Sequence, residues 1–190
     1  WVQISHAGRQ TQKNVNPHPR APSAVPLALP GGQFGMPHPL TGIEIQDLIA
    51  RFANAAVVSR EAGFTGVQIH AAHGYLISQF LSPRSNQRTD RWGGSLVNRA
   101  RFLMFTLNTV RTLVGPDFPI SVKLNSADFQ RGGFDSADAL ATLNAARAEL
   151  KALHARVAAL EAQLGVKPKA TAKPKAAAKP AAKTAAKKAP

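Results

Sequence analysis

His70 and His73 stand three residues apart at the end of a short apolar run, and Tyr75 follows two residues later. Two imidazoles and a phenol at that spacing offer a small set of chemistries. The histidines are satisfied by loop carbonyls, or they ligate a metal, or they donate hydrogen bonds to a substrate oxygen. Imidazole suits Zn, Cu, Fe and Ni, but His6 is the only well-placed third ligand. Neutral imidazoles donate at pH 7, and two donors on one oxygen stabilise charge developing there. Tyr75 adds a weak acid that can give a proton. Lys123 is a further candidate. An ammonium inside the run Ile120-Ser121-Val122-Lys123-Leu124 is costly unless an ion pair, an anion or an electron-rich ring meets it. Gln3, between Val2 and Ile4, faces solvent, a helix or a ligand.

These residues need elements to position them. Residues 1–5 read as a short strand, 67–70 as a second and 120–125 as a third. Thr41-Gly42-Ile43-Glu44 fits a capping box, and Ile45, Leu48, Ile49, Phe52 and Ala56 keep helical spacing after it. Gly63 suits the left-handed position beyond the last turn. Ser95 caps a helix carrying Phe102, Leu103, Leu107 and Val110, which Gly115-Pro116-Asp117 ends. A further helix starts near Ser136. Residues 7–40, which hold seven prolines, and residues 74–94 read as long loops. Strand and helix therefore alternate, the signature of parallel βα units. The long loops follow the strands, as in (β/α)8 barrels, whose active sites lie at the strands' C-terminal ends. A doubly wound sheet fits the same pattern.

Residues 144–165 read as a separate helix. Leu143, Leu150, Val157 and Leu164 lie seven apart, and Ala146, Leu153 and Leu160 fill the second seam. The pattern predicts a coiled coil that oligomerises through 143–164, or an amphipathic helix packed on its own domain. Residues 166–190 are almost wholly Lys, Ala and Pro, too poor in apolar side chains to offset ordering entropy, and are expected to be disordered.

Net charge is +14, but eight of the 24 basic residues lie beyond residue 166, with no acid among them. The basic balance belongs largely to that appendage. With no cysteine, disulfides, thiolate metal sites and cysteine nucleophiles are excluded. No apolar run approaches the roughly 20 residues of a membrane span, and no signal peptide is visible, so the chain reads as cytoplasmic. It opens at Trp1 and reads as a fragment.

Several motifs together carry a family resemblance. Gln3-Ile4-Ser5-His6-Ala7-Gly8-Arg9 comes first. Gly66-Val67-Gln68-Ile69-His70-Ala71-Ala72-His73-Gly74-Tyr75-Leu76 follows. Phe80-Leu81-Ser82-Pro83, Arg88-Thr89-Asp90, Gly93-Gly94-Ser95 and Val122-Lys123-Leu124-Asn125 come after it in order. This set resembles the flavin-dependent ene-reductases of the old yellow enzyme family, with Trp92 where the family usually has tyrosine. The resemblance implies an α/β fold, a (β/α)8 TIM barrel of which residues 1–143 are about strands 3 to 5. It implies FMN, reduced by NADH or NADPH, that passes hydride to an activated alkene. Gln3 would bond the pyrimidine side of the flavin, and Lys123 would sit near its N1 and C2 carbonyl. His70 and His73 would grip a carbonyl or nitro oxygen of the substrate, and Tyr75 would donate the proton. Strands 1, 2 and 6 to 8 have no counterpart here, and the loops of the last three bind the FMN phosphate in the family. The heptads and tail resemble the ends of polyhydroxyalkanoate-granule proteins or a linker-histone tail. They imply an alternative function, an oligomerising module binding DNA or granules. Nucleic acid would then be held non-specifically, by charge, through residues 167–188.

Overall fold

The computed structural model describes residues 1–165. Three strands form one parallel sheet: β1 (Val2–Ile4), β4 (Val67–Ala71) and β5 (Ile120–Leu124), in the order β1-β4-β5. Between β1 and β4 lie two two-residue strands, β2 (Arg20–Ala21) and β3 (His38–Pro39), and helix α1 (Gly42–Glu61). After β4 come α2 (Leu76–Leu81) and α3 (Leu96–Val114), and after β5 comes α4 (Ser136–Gln163).

The register divides the sheet into two faces. Val2 pairs with Val67, and Val67 with Ile120; Ile4 pairs with Ile69, and Ile69 with Val122. Because side chains alternate along a strand, these apolar residues share one face with Ala71 and Leu124, and that face joins the core under the helices. Gln3, Gln68 and Ser121 form one row on the other face, and His70 and Lys123 form the next. A parallel sheet with one apolar and one polar face must shield only the first with helices. The outer edges of β1 and β5 pair with no other strand among the described residues.

The helices form for local reasons. Thr41 accepts from the Glu44 amide while the Glu44 carboxylate accepts from the Thr41 amide at 2.8 Å, so the capping box is complete. Gly63 has φ of 86°, a left-handed conformation that suits glycine after a last turn. Ser95 and Asp135 cap α3 and α4 by accepting from Asn98 and Asp138 amides. Arg60 at the end of α1 donates to the Leu113 carbonyl at the end of α3. Arg99 near the start of α3 pairs with Asp138 near the start of α4 at 3.1 Å. The three long helices therefore run parallel, as successive βα units require.

Two expectations need correction. Residues 74–94 are not one loop, since α2 lies within them. All six α2 residues are buried, so it has no polar face and no amphipathic period to betray it. Nor does a separate helix start at 144. α4 runs unbroken from Ser136 to Gln163 across that boundary. Ala146 and Leu153 are buried, Leu150 packs against the core, and Asn108 on α3 donates to Glu149. The second heptad seam is thus largely consumed within the domain, while Leu143, Leu160 and Leu164 are exposed. The long loop 7–40 is tied down by the β2–β3 pair and a bridge between Gln12 and Phe34. The Lys-Ala-Pro segment 166–190, with its expected disorder and nucleic-acid binding, lies outside the described residues. Among the described residues, no helix is long and apolar enough to cross a membrane.

Candidate active site

Parallel strands deliver their C-terminal ends to one side of the sheet, so the segments after β1, β4 and β5 meet there. Gln3, Ser5, Ala7, His70, His73, Tyr75 and Lys123 line a single open cleft of about 490 Å³ at this place. All five residues singled out by sequence for catalysis or cofactor binding are among them. His6, the third residue of the metal reading, is not. Its Nδ1 instead accepts the Gly8 amide at 3.0 Å within its own loop. Among the described residues, no group of three or more His, Asp or Glu is placed to hold a metal ion.

His70 is 4% exposed. Its ring meets those of His73 and Tyr75 edge-on, with centroids at 5.1 and 5.0 Å. Burial, then the neighbouring His73 and the Lys123 ammonium, hold its imidazole below the usual histidine range. Neutral His70 accepts the Ala72 amide at Nδ1, at 3.1 Å. That bond assigns the proton to Nε2, which becomes a fixed donor. Lys123 is half-buried beside it on β5, and among the described residues no carboxylate pairs with it.

Gln3 belongs to a directed chain across the sheet. Its Nε2 donates to Gln68 Oε1 at 2.6 Å, and Gln68 Nε2 donates to Ser121 Oγ at 3.2 Å. The Gln3 carbonyl oxygen is thereby left to accept from a ligand. An amide acceptor, hydroxyls and an ammonium on one open polar face suit a planar heterocycle with alternating donors and acceptors and an anionic edge.

Sequence reasoning missed the residues that hold these loops together. Gln79, buried inside α2, donates to the carbonyls of Ala7 and Gly74 and accepts the Arg9 amide. It joins the loop after β1 to the loop after β4. A side chain at Gly8, where φ is 59°, would collide with its amide. The available signal was a glutamine and a serine, Ser78, set in the apolar run Leu76–Leu81. Polar side chains buried in such a run must bond something nearby.

Comparison with known proteins now decides the family. A model described as "NADH:flavin oxidoreductase / NADH oxidase family" matches residues 1–188. The chain belongs to that family. Its relatives include the NADH oxidase of Thermoanaerobacter brockii, 44% identical over 135 residues, which make up 70% of this chain and 20% of that protein. The NADPH dehydrogenase of Bacillus velezensis is 41% identical over 137 residues, 72% of this chain and 38% of that protein. A solved structure of 2-naphthoyl-CoA reductase with 2-naphthoyl-CoA superposes with a TM-score of 0.72 at 34% identity, over 77% of this chain and 24% of that one. The chain thus spans well under half the length of these flavin oxidoreductases. The family resemblance carried by the His-Ala-Ala-His-Gly-Tyr run is borne out. The NADH:flavin oxidoreductases use FMN with NADH or NADPH, and the polar row described above fits that cofactor.

The two low-pKa histidines give this family member a pH signature. His6 is also held below the usual range, by burial first and the Arg51 charge second. In the unfolded chain both rings take protons near pH 6.5, whereas the folded protein resists them until lower pH. The unfolded state then binds more protons, so stability is fully present above pH 6.5 and falls below it. Melting temperatures recorded from pH 8 to 5 should drop below pH 6.5. The drop should shrink in His6→Asn, whose Oδ1 can still accept from Gly8. An undiminished drop would rule His6 out as a source.

Proposed function

We propose that residues 1–143 form an arc of a (β/α)8 barrel, about its third to fifth strands, that binds FMN and reduces activated alkenes. The observation that carries this reading is the meeting of Gln3, His70, His73, Tyr75 and Lys123 at one cleft, from three separate strands. When bound, FMN supplies hydride, drawn from NADH or NADPH and given to the acceptor. Gln3 orients the pyrimidine edge by accepting from a ring N–H and donating to a ring carbonyl. The Lys123 ammonium stabilises negative charge on that edge. His70 Nε2 and His73 hold the carbonyl or nitro oxygen of the alkene, withdrawing electrons from the double bond. Tyr75 gives the proton to the carbon that does not take hydride. A small-molecule alkene is therefore the partner.

The test is colour. Mixed with FMN and passed through gel filtration, the protein should elute yellow, with a flavin absorbance band in the protein peak. A colourless peak would overturn cofactor binding by this chain. No comparable observation favours a coiled coil with a basic tail that binds DNA or granules. Ala146 and Leu153, two of the three residues of its second seam, are already buried.

A further inference from the structure

His73 and Gly74 have φ of 60° and 71°, and the Tyr75 amide donates to the Ala72 carbonyl across them at 3.2 Å. Two successive positive φ values closed by that bond make a type I′ turn. Glycine adopts this conformation freely, but histidine does so at a cost. The turn sits between the donor His70 and the phenol of Tyr75, so its geometry decides where the His73 ring stands.

Each outward polar group of the turn is held by a side chain. The His73 amide donates to Asn125 Oδ1 at 2.9 Å, and the His73 carbonyl accepts from Gln10 Nε2 at 2.7 Å. The Gly74 amide donates to Ser78 Oγ at 3.3 Å, and the Gly74 carbonyl accepts from Gln79 Nε2 at 2.7 Å. Asn125 Nδ2 also donates to Ser78 Oγ at 3.4 Å, which closes a ring through the turn. Both peptide planes flanking His73 are therefore fixed, and with them the direction of its Cα–Cβ bond. Of the four side chains, Asn125 alone comes from beyond β5, two residues past Lys123.

We propose that Asn125 is a positioning residue for His73. It keeps the His73 backbone left-handed and fixes the ring against the strand that carries Lys123. This inference rests on the substrate-holding role of His73 only in its functional consequence. His73 is exposed, so water can replace the lost bond in a variant. Loss of Asn125 should therefore move the turn far more than it destabilises the fold.

NMR of the isotope-labelled full chain tests the backbone claim without any flavin. In Asn125→Ala, or Asn125→Ser should that variant not fold, the coupling constants that report positive φ at His73 should be lost and its amide should exchange faster. The melting temperature should change little. Asn125→Asp, whose carboxylate still accepts from the His73 amide, should keep the left-handed signature. An unchanged His73 signature in the Ala and Ser variants would overturn the proposal. With FMN bound, KM for cyclohex-2-en-1-one should rise about tenfold in Asn125→Ala with a smaller change in kcat, and Asn125→Asp should recover it. An unchanged KM alongside a relaxed turn would also overturn it. A wild-type protein that binds no FMN would sink the functional reading, and the NMR result alone would then decide this one.

Discussion

Tyr75→Phe is expected to slow reduction of an activated alkene by about 10²- to 10⁴-fold, the range for loss of one positioned general acid. The substitution removes one hydroxyl and little else. Tyr75 is the N-cap residue of α2 by its backbone, and its side chain makes no capping bond. Phenylalanine keeps the edge-on contact with His70 at 5.0 Å. FMN binding should therefore be unchanged, as should reduction of the bound flavin by NADH. Stopped-flow measurements separate the two halves of the reaction. The loss should fall wholly on the oxidative half with an alkene acceptor. A variant that retains turnover to within about tenfold would reassign the proton to solvent.

Phe102→Ala should have the largest effect on stability, about 3–5 kcal/mol. Phe102 is fully buried on α3 and touches two other helices through aromatic pairs. It meets Phe52 of α1 edge-on at 6.1 Å and Phe80 of α2 at 4.8 Å. Because Phe102 ties α3 to two other helices, the surrounding side chains have little freedom to close the void. Against the total stability of about 5–15 kcal/mol typical of domains, this is a large fraction. Urea titration should show a lower midpoint with an unchanged slope. Phe102→Leu should lose much less. Equal losses for Ala and Leu would indicate that the aromatic contacts, rather than volume, hold the helices together.

Much of the architecture was legible because local chemistry announced it. Thr41 and Glu44 are the right types at the right spacing for a reciprocal cap, and α1 starts there. Gly63 marks the left-handed exit from the same helix. The candidate site was legible because polar residues interrupt apolar runs, Gln3 in β1 and Lys123 in β5, and the lysine there is costly without an ion pair, an anion or an electron-rich ring. What stayed hidden was set by tertiary contact. α2 is buried on all sides, so its sequence lacks the period that reveals surface helices. Gln79 and Asn125 act on backbone groups far away in sequence, in pairings that no spacing rule foretells. The change of composition near residue 144 suggested a boundary, yet α4 crosses it because residues on both sides are good helix formers and share one face on α3.

Among the described residues the outer edges of β1 and β5 pair with no other strand, and such edges make association depend on how much of the chain is present. A free strand edge offers amides and carbonyls at the sheet's own spacing, and another chain can satisfy them as well as water does. In dilute solution the outward-facing β5 amides, those not bonded to β4, should exchange their hydrogens rapidly. As concentration rises, neighbouring chains should occupy those positions and slow the exchange, while amides of the central strand β4 stay constant. The ratio of the two rates would then work as a gauge of self-association, read at single residues before any turbidity is visible.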